Sequence, residues 1–213
     1  MTTAPVPPTE LSAAYRDTHR DTPAVYQRNA VGWDERRNRA LYERPWLDRF
    51  MGSMPPGASV LDVGCGAGEP IAEYLIACGL SVTGIDSSEP LIALCQSRFP
   101  SHTWRVADMR ALEFDSQFDG IIGWDSFFHL SPDEQRQTLE LFGRLLSPQG
   151  SLLLTVGPSA GEVLGRVEGE AVYHSSLAPE EYERTLQNLG MSEVEMVFED
   201  ASCWGRSVLL AWR

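Results

Sequence analysis

Three glycines at alternate positions, Gly64, Gly66 and Gly68, stand between the apolar run Val60–Val63 and a stretch from Glu69 to Leu80 with apolar residues at helical spacing. The run has the length and composition of a buried strand, so the order reads strand, glycine turn, helix. That order opens a nucleotide-binding βαβ unit. Glycine lets a backbone approach a ligand closely and accepts positive φ. The helix beyond the turn offers unpaired N–H groups.

The spacing narrows the ligand. A dinucleotide site takes G-x-G-x-x-G, which calls for glycine at position 69, but Glu69 stands there and the third glycine is Gly68. A P-loop would need Gly-Lys-Ser/Thr, which is absent. Glu69 at the helix start would also repel a pyrophosphate seated at the positive end of the helix dipole. The turn therefore suits a nucleoside-like ligand without phosphates. D-x-G-x-G-x-G is the pattern of class I S-adenosylmethionine-dependent methyltransferases, and Asp62 to Gly68 matches it. The chain resembles that family over residues 59 to 213.

The resemblance implies an α/β fold: a Rossmann-like doubly wound sheet, mostly parallel with an antiparallel last strand, helices on both faces and a helical N-terminal lid. On this reading residues 1–9 form a disordered Pro/Thr-rich tail, 10–57 a helical cap and 58–213 the catalytic domain, with a substrate-cover insertion at 157–178. Apolar runs followed by turn or helix signals place strands at 81–85, 102–106, 118–123 and 151–156, and Ser147–Gly150 reads as a turn. Two final strands cover 193–199 and 206–212.

Asp86 follows Gly68 by 18 residues, at the carboxyl end of the second strand, where an acid accepts from both ribose hydroxyls. The remaining cofactor contacts follow from the resemblance. They comprise Asp62, Gly64, Cys65, Gly66 and Gly68 in the turn, Ser87 beside Asp86, and Asp108 and Met109 at the adenine. Tyr26 and Trp33 lie on one face of the N-terminal helix with Ala30 and Arg37, and as part of a lid they would meet the methionine end. Trp124 could face a cationic sulfonium, and Asp125 lies beside it. As a small residue in a tight turn, Cys65 reads as filler rather than nucleophile.

Methyl transfer from a sulfonium needs alignment above all. Many acceptors must also lose a proton. His129, in the loop after the fourth strand, titrates near neutrality and is the first candidate base. Asp125, His174 and the absence of any base are the alternatives, and Tyr173 could reach a substrate from the insertion.

Composition bounds the rest. A formal charge of −13 and no Lys/Arg cluster argue against a nucleic-acid partner. No apolar run reaches membrane-span length and no leader pattern opens the chain, so the expectation is a cytoplasmic protein without a membrane partner. The four cysteines show no zinc spacing, and no metal is expected. The reading is thus a methyltransferase using S-adenosylmethionine on a small molecule. A silent S-adenosylmethionine-binding protein and an NAD(P)-dependent oxidoreductase are the competitors.

Overall fold

A computed structural model describes residues 13–213. The tail at 1–9 and the first three residues of the 10–57 segment lie outside the described residues.

In chain order the elements are α1 (Ala13–Arg36), α2 (Arg44–Met51), β1 (Ser59–Val63), α3 (Ile71–Ala77), β2 (Ser81–Asp86), α4 (Glu89–Arg98), β3 (Thr103–Val106) and β4 (Phe118–Gly123). Then come α5 (Pro132–Leu145), β5 (Leu146–Val156), β6 (Gly161–Val167), β7 (Glu170–Ser176), α6 (Pro179–Asn188), β8 (Glu193–Asp200) and β9 (Arg206–Trp212). Seven strands form one sheet in the order β3-β2-β1-β4-β5-β9-β8. The first five are parallel, and β9 runs antiparallel to both neighbours. The strand order reverses between β1 and β4, the place where open α/β sheets leave a crevice beyond their carboxyl ends.

Strand alternation sorts the core onto two faces. Leu61, Val63, Ile121, Leu152 and Leu154 pack with Leu139 and Phe142 of α5 and Tyr182 and Leu186 of α6. Val60, Ile122 and Leu153 pack on the other side with Ile71 and Leu75 of α3, Ile92 of α4, and Trp46, Leu47 and Phe50 of α2. α2 thus belongs to the sheet's second layer, whereas α1 lies over the carboxyl ends of the strands and against β7. Pro45 falls in the first turn of α2, where its missing N–H costs nothing.

Ser131 and Glu134 form a reciprocal capping box at the start of α5. Two stretches differ from the sequence reading by more than a residue. The helix after the glycine turn is shorter, running from Ile71 to Ala77. Ser147–Gly150 is drawn into the start of β5 rather than left as a turn: Leu146 pairs with Phe118, and the register then shifts before Gly120 meets Ser151. The 157–178 segment is a two-stranded hairpin, β6 and β7, separate from the main sheet. Among the described residues no helix is long and apolar enough to cross a membrane.

Candidate active site

At the carboxyl ends of β1, β2 and β4 lies an open cleft of about 910 Å³, including its mouth. Its floor is the glycine turn. Gly64 and Gly66 have φ of +74° and +55°, a region that side chains enter only at a cost. The space above them is filled: a Cβ on Gly64 would lie 2.3 Å from Ser126 Cβ, and one on Gly66 would lie 2.9 Å from the Trp33 ring. Ser126 is itself tied down, its hydroxyl donating to the Val63 carbonyl at 2.6 Å.

Asp86 ends β2 at the cleft wall. One carboxylate oxygen accepts from Gly66 N–H at 3.0 Å and the other from Ser88 N–H at 2.8 Å. Burial pushes its carboxyl up, and these backbone donors oppose the rise. Each oxygen keeps a lone pair for a further donor. Asp62 is buried behind the turn, and burial together with the Asp86 charge raises its carboxyl to about 7. Asp62, Cys65 and Gly68 do not line the cleft; they shape the turn from beneath. The Cys65 thiol is directed under β2, 2.9 Å from where a Cβ of Gly84 would sit, which fits a filler.

Met109, Ala107, Ile85 and Leu91 make an apolar wall, with Ser87 beside it. Asp108 lines the same wall, but its carboxylate is clasped by the Arg110 guanidinium at 2.9 Å on each oxygen and by the Arg110 N–H. Burial disfavours its charge, yet those Arg110 contacts hold its carboxyl below the ordinary range. An adenine amino group would have to share Asp108 with Arg110. Arg110 also reaches Glu134, which bonds His19 at 2.7 Å.

The roof is α1, with Thr22, Pro23, Tyr26 and Trp33 facing the cleft, joined by Arg37 just past the helix end. Asp34 anchors it. Arg98 of α4 bridges Asp34, at 2.6 and 2.9 Å, and the carbonyl of Ala67 at 3.0 Å, so the roof is bolted to the glycine turn. Arg37 lies 5.1 Å from the Trp33 ring centroid and 4.0 Å from both Glu43 and Asp125, beyond hydrogen-bond reach of either. Glu43 is buried, and neither of its oxygens has a partner among the described residues.

Beyond β4, Trp124 is buried on the α2 side of the sheet, and one edge reaches the cleft; its indole N–H has no partner among the described residues. Asp125 has φ of +53°, a strained value for a non-glycine residue at a strand end. Arg206, at the start of β9, pins its carboxylate at 2.7 and 3.0 Å. His129 is held at both nitrogens: Nε2 meets the Tyr26 hydroxyl at 2.9 Å and Nδ1 the Tyr173 carbonyl at 2.8 Å. Burial lowers its pKa to about 4. The insertion does not bring Tyr173 or His174 into the cleft. The Tyr173 ring is buried, with its hydroxyl donating to Glu162, and His174 packs behind His129 at 4.9 Å between ring centroids.

The structure therefore gathers Tyr26, Trp33, Gly64, Gly66, Asp86, Ser87, Asp108, Met109, Trp124, Asp125 and His129 around one space. Arg37 and Ser126 join them, and Arg206 reaches the site only through its pairing with Asp125; none of the three had been singled out as a site residue. Arg37 was visible only as a member of the Tyr26–Trp33 helix face; nothing in the sequence links Asp125 to Arg206, 81 residues away.

Residues 60–150 match the family model described as a methyltransferase domain. YqeM of Bacillus subtilis strain 168, which bears a methyltransferase name, is 35% identical over 141 residues, covering 63% of this chain and 56% of that protein. The tRNA (carboxymethyluridine(34)-5-O)-methyltransferase of Arabidopsis thaliana is 34% identical over 118 residues, covering 53% and 27% respectively. The chain thus spans little more than half of the first relative and about a quarter of the second. Among solved structures, the 1,6-didemethyltoxoflavin-N1-methyltransferase of Burkholderia thailandensis, with its acceptor and S-adenosylhomocysteine bound, aligns with a TM-score of 0.69. It is 21% identical, with 100% of this chain and 93% of that one covered, and that likeness is one of fold.

Proposed function

The chain belongs to the class I S-adenosylmethionine-dependent methyltransferase family, and from that premise we propose that it transfers a methyl group from S-adenosylmethionine to a small-molecule acceptor by in-line displacement. One observation carries the reading: the glycine turn, Asp86, Met109 and the α1 aromatics all face the same cleft.

The donor set fits the cofactor. Asp86 has a free lone pair on each oxygen for two ribose hydroxyls. Ile85, Leu91 and Met109 offer apolar surface for adenine. The Arg37 guanidinium, without a hydrogen-bond partner among the described side chains, would take the amino-acid carboxylate. Once bound, the cofactor supplies a methyl group already activated by its positive sulfur. The protein's share is alignment and exclusion of water, for which Trp33 and Tyr26 close the top of the cleft.

A small molecule is favoured over a nucleic acid because a net charge of −13 opposes polyanion binding. Calorimetry with S-adenosylhomocysteine and with NADH tests the cofactor: tight binding of the first alone is expected, and preference for the dinucleotide would reject the proposal. Transfer of radiolabelled methyl to small molecules and to bulk tRNA then separates the acceptor classes.

A further inference from the structure

The contact between α1 and the loop after β4 has a direction. A backbone carbonyl only accepts, so the 2.8 Å contact of His129 Nδ1 with the Tyr173 carbonyl places a proton on Nδ1. In a neutral imidazole the lone pair then sits on Nε2. The Tyr26 hydroxyl, 2.9 Å away, must donate to it. With its hydrogen committed inward, Tyr26 keeps its oxygen lone pairs, and the residue lines the cleft. His129 cannot serve an incoming acceptor directly, since both its nitrogens are engaged.

We propose that Tyr26 is the catalytic residue that meets the acceptor's proton, that His129 is its positioning partner, and that the acceptor atom is a hydroxyl oxygen. The proposal rests on the methyltransferase reading and specifies its acceptor end. The acceptor O–H bond breaks as an O–H bond forms on Tyr26. The former Tyr26 proton moves to His129 Nε2, and the acceptor oxygen, with the electron pair freed, forms its bond to the methyl carbon as the carbon–sulfur bond breaks, its electron pair staying on the now neutral sulfur of the departing S-adenosylhomocysteine. His129 later returns the proton to Tyr26, which releases one to water as product leaves.

The surroundings select for this. Four titratable groups surround the ring: Tyr26 and His19 from α1, His174 from β7 and Asp125 from the loop after β4. Asp125 is the one carboxylate among them and favours a transient imidazolium, while burial and the two histidines oppose a standing one. The proton therefore moves in concert with methyl transfer, not before it. An ammonium acceptor would enter beside Arg37, with Asp125 already paired to Arg206. A carboxylate acceptor would give the pair no proton to take.

Nitrogen NMR on full-length protein labelled with [15N]histidine, with and without S-adenosylhomocysteine, tests the assignment. From about pH 5 to about pH 8, spanning the ordinary histidine range, His129 is expected to stay neutral with its proton on Nδ1. Tyr26→Phe should move the Nε2 signal towards that of a free imine nitrogen and raise the His129 pKa, because the neutral ring loses a donor. With S-adenosylhomocysteine bound, phenol should shift the wild-type Nε2 signal. Anisole, similar in shape but without the proton, should not. A proton on Nε2, protonation of wild-type His129 near its ordinary value, or equal responses to phenol and anisole would overturn the proposal. The wild-type measurements decide even if the variant folds poorly. Product binding by calorimetry reports on the cofactor reading separately, so either idea can fail alone.

Discussion

The floor of the cleft is made of backbone and the roof of side chains. Gly64, Gly66 and the N–H groups bonded to Asp86 come from segments that follow one another within thirty residues, on strands locked by parallel pairing. The roof is held by pairs from distant parts of the chain: Tyr26 with His129, Asp34 with Arg98, Arg28 with Glu170, Thr22 with Tyr173. A floor of this kind tolerates almost no substitution and offers the same surface to any adenosine compound. The roof can change residue by residue, and on the proposed reading it is the part that meets the acceptor.

Gly64→Ala should do the most damage. The new Cβ would overlap Ser126, whose hydroxyl cannot move without losing the Val63 carbonyl, and φ would be unfavourable as well. Overpacking of this kind costs roughly 1–3 kcal/mol before the backbone penalty is added. The expected result is a lower denaturation midpoint together with lost binding of S-adenosylhomocysteine. Unchanged binding would mean the turn is not the floor.

Asp86→Ala removes a charged acceptor from two backbone N–H groups and, on the proposed reading, from the ribose. Charged hydrogen bonds contribute about 1.5–3 kcal/mol each, so affinity for S-adenosylhomocysteine should fall at least about tenfold in calorimetry. Arg37→Ala sharpens the contrast, since Arg37 belongs to the roof. It should weaken S-adenosylhomocysteine by about tenfold, by the same charged-bond scale, and leave adenosine unaffected, because adenosine has no carboxylate to lose. Equal losses for both ligands would move Arg37 away from the amino-acid end.

This division also explains what could be read in advance. The sheet and the floor were legible because their signals are local: an apolar run, alternate glycines, an acid at a strand end. Asp86 lands where its distance from Gly68 puts it, and Val60–Val63 is buried throughout. The pairing state of each side chain was not legible. Asp108 carries the right chemistry in the right place, yet Arg110, two residues on, occupies both of its oxygens. His129 lies at the cleft as expected, but Tyr26, 103 residues before it, takes the nitrogen a base would use. The Ser147–Gly150 turn signal lies inside β5 because the residues on either side of it, Leu146 and Ser151, both pair with β4, and the register shifts across the stretch between them, which local propensity does not record.

Glu134 makes a smaller test of the roof's edge. Burial works against its charge, but His19, the Ser131 N–H and Arg110 outweigh it and bring the carboxyl to about 2. A lowered folded pKa contributes stability that is present above the unfolded value of about 4.3 and is lost as pH falls towards the folded one. Acid unfolding between about pH 4 and pH 2 should therefore become shallower in Glu134→Gln. An identical acid limb in the variant would show that the His19–Glu134–Arg110 chain does not hold α1 to α5.

The smallest effect is expected at Arg28, which reaches from α1 to Glu170 of the hairpin at 2.8 and 3.0 Å and also bonds Asp21. All three side chains are well exposed. The pairs gain little over hydration and are screened by salt. Arg28→Ala should leave the melting temperature almost unchanged and remove what salt dependence the α1–hairpin contact has. Hydrogen exchange at Tyr173 N–H, which donates to the buried Thr22 hydroxyl at 2.9 Å, is the sensitive reporter. If exchange there stays slow in the variant, the roof is held by Thr22, Tyr26 and the Tyr173 ring, and the charges on its outer side only decorate it. If exchange accelerates, the ion pairs hold the hairpin against α1, and the acceptor end of the cleft opens more easily than its floor.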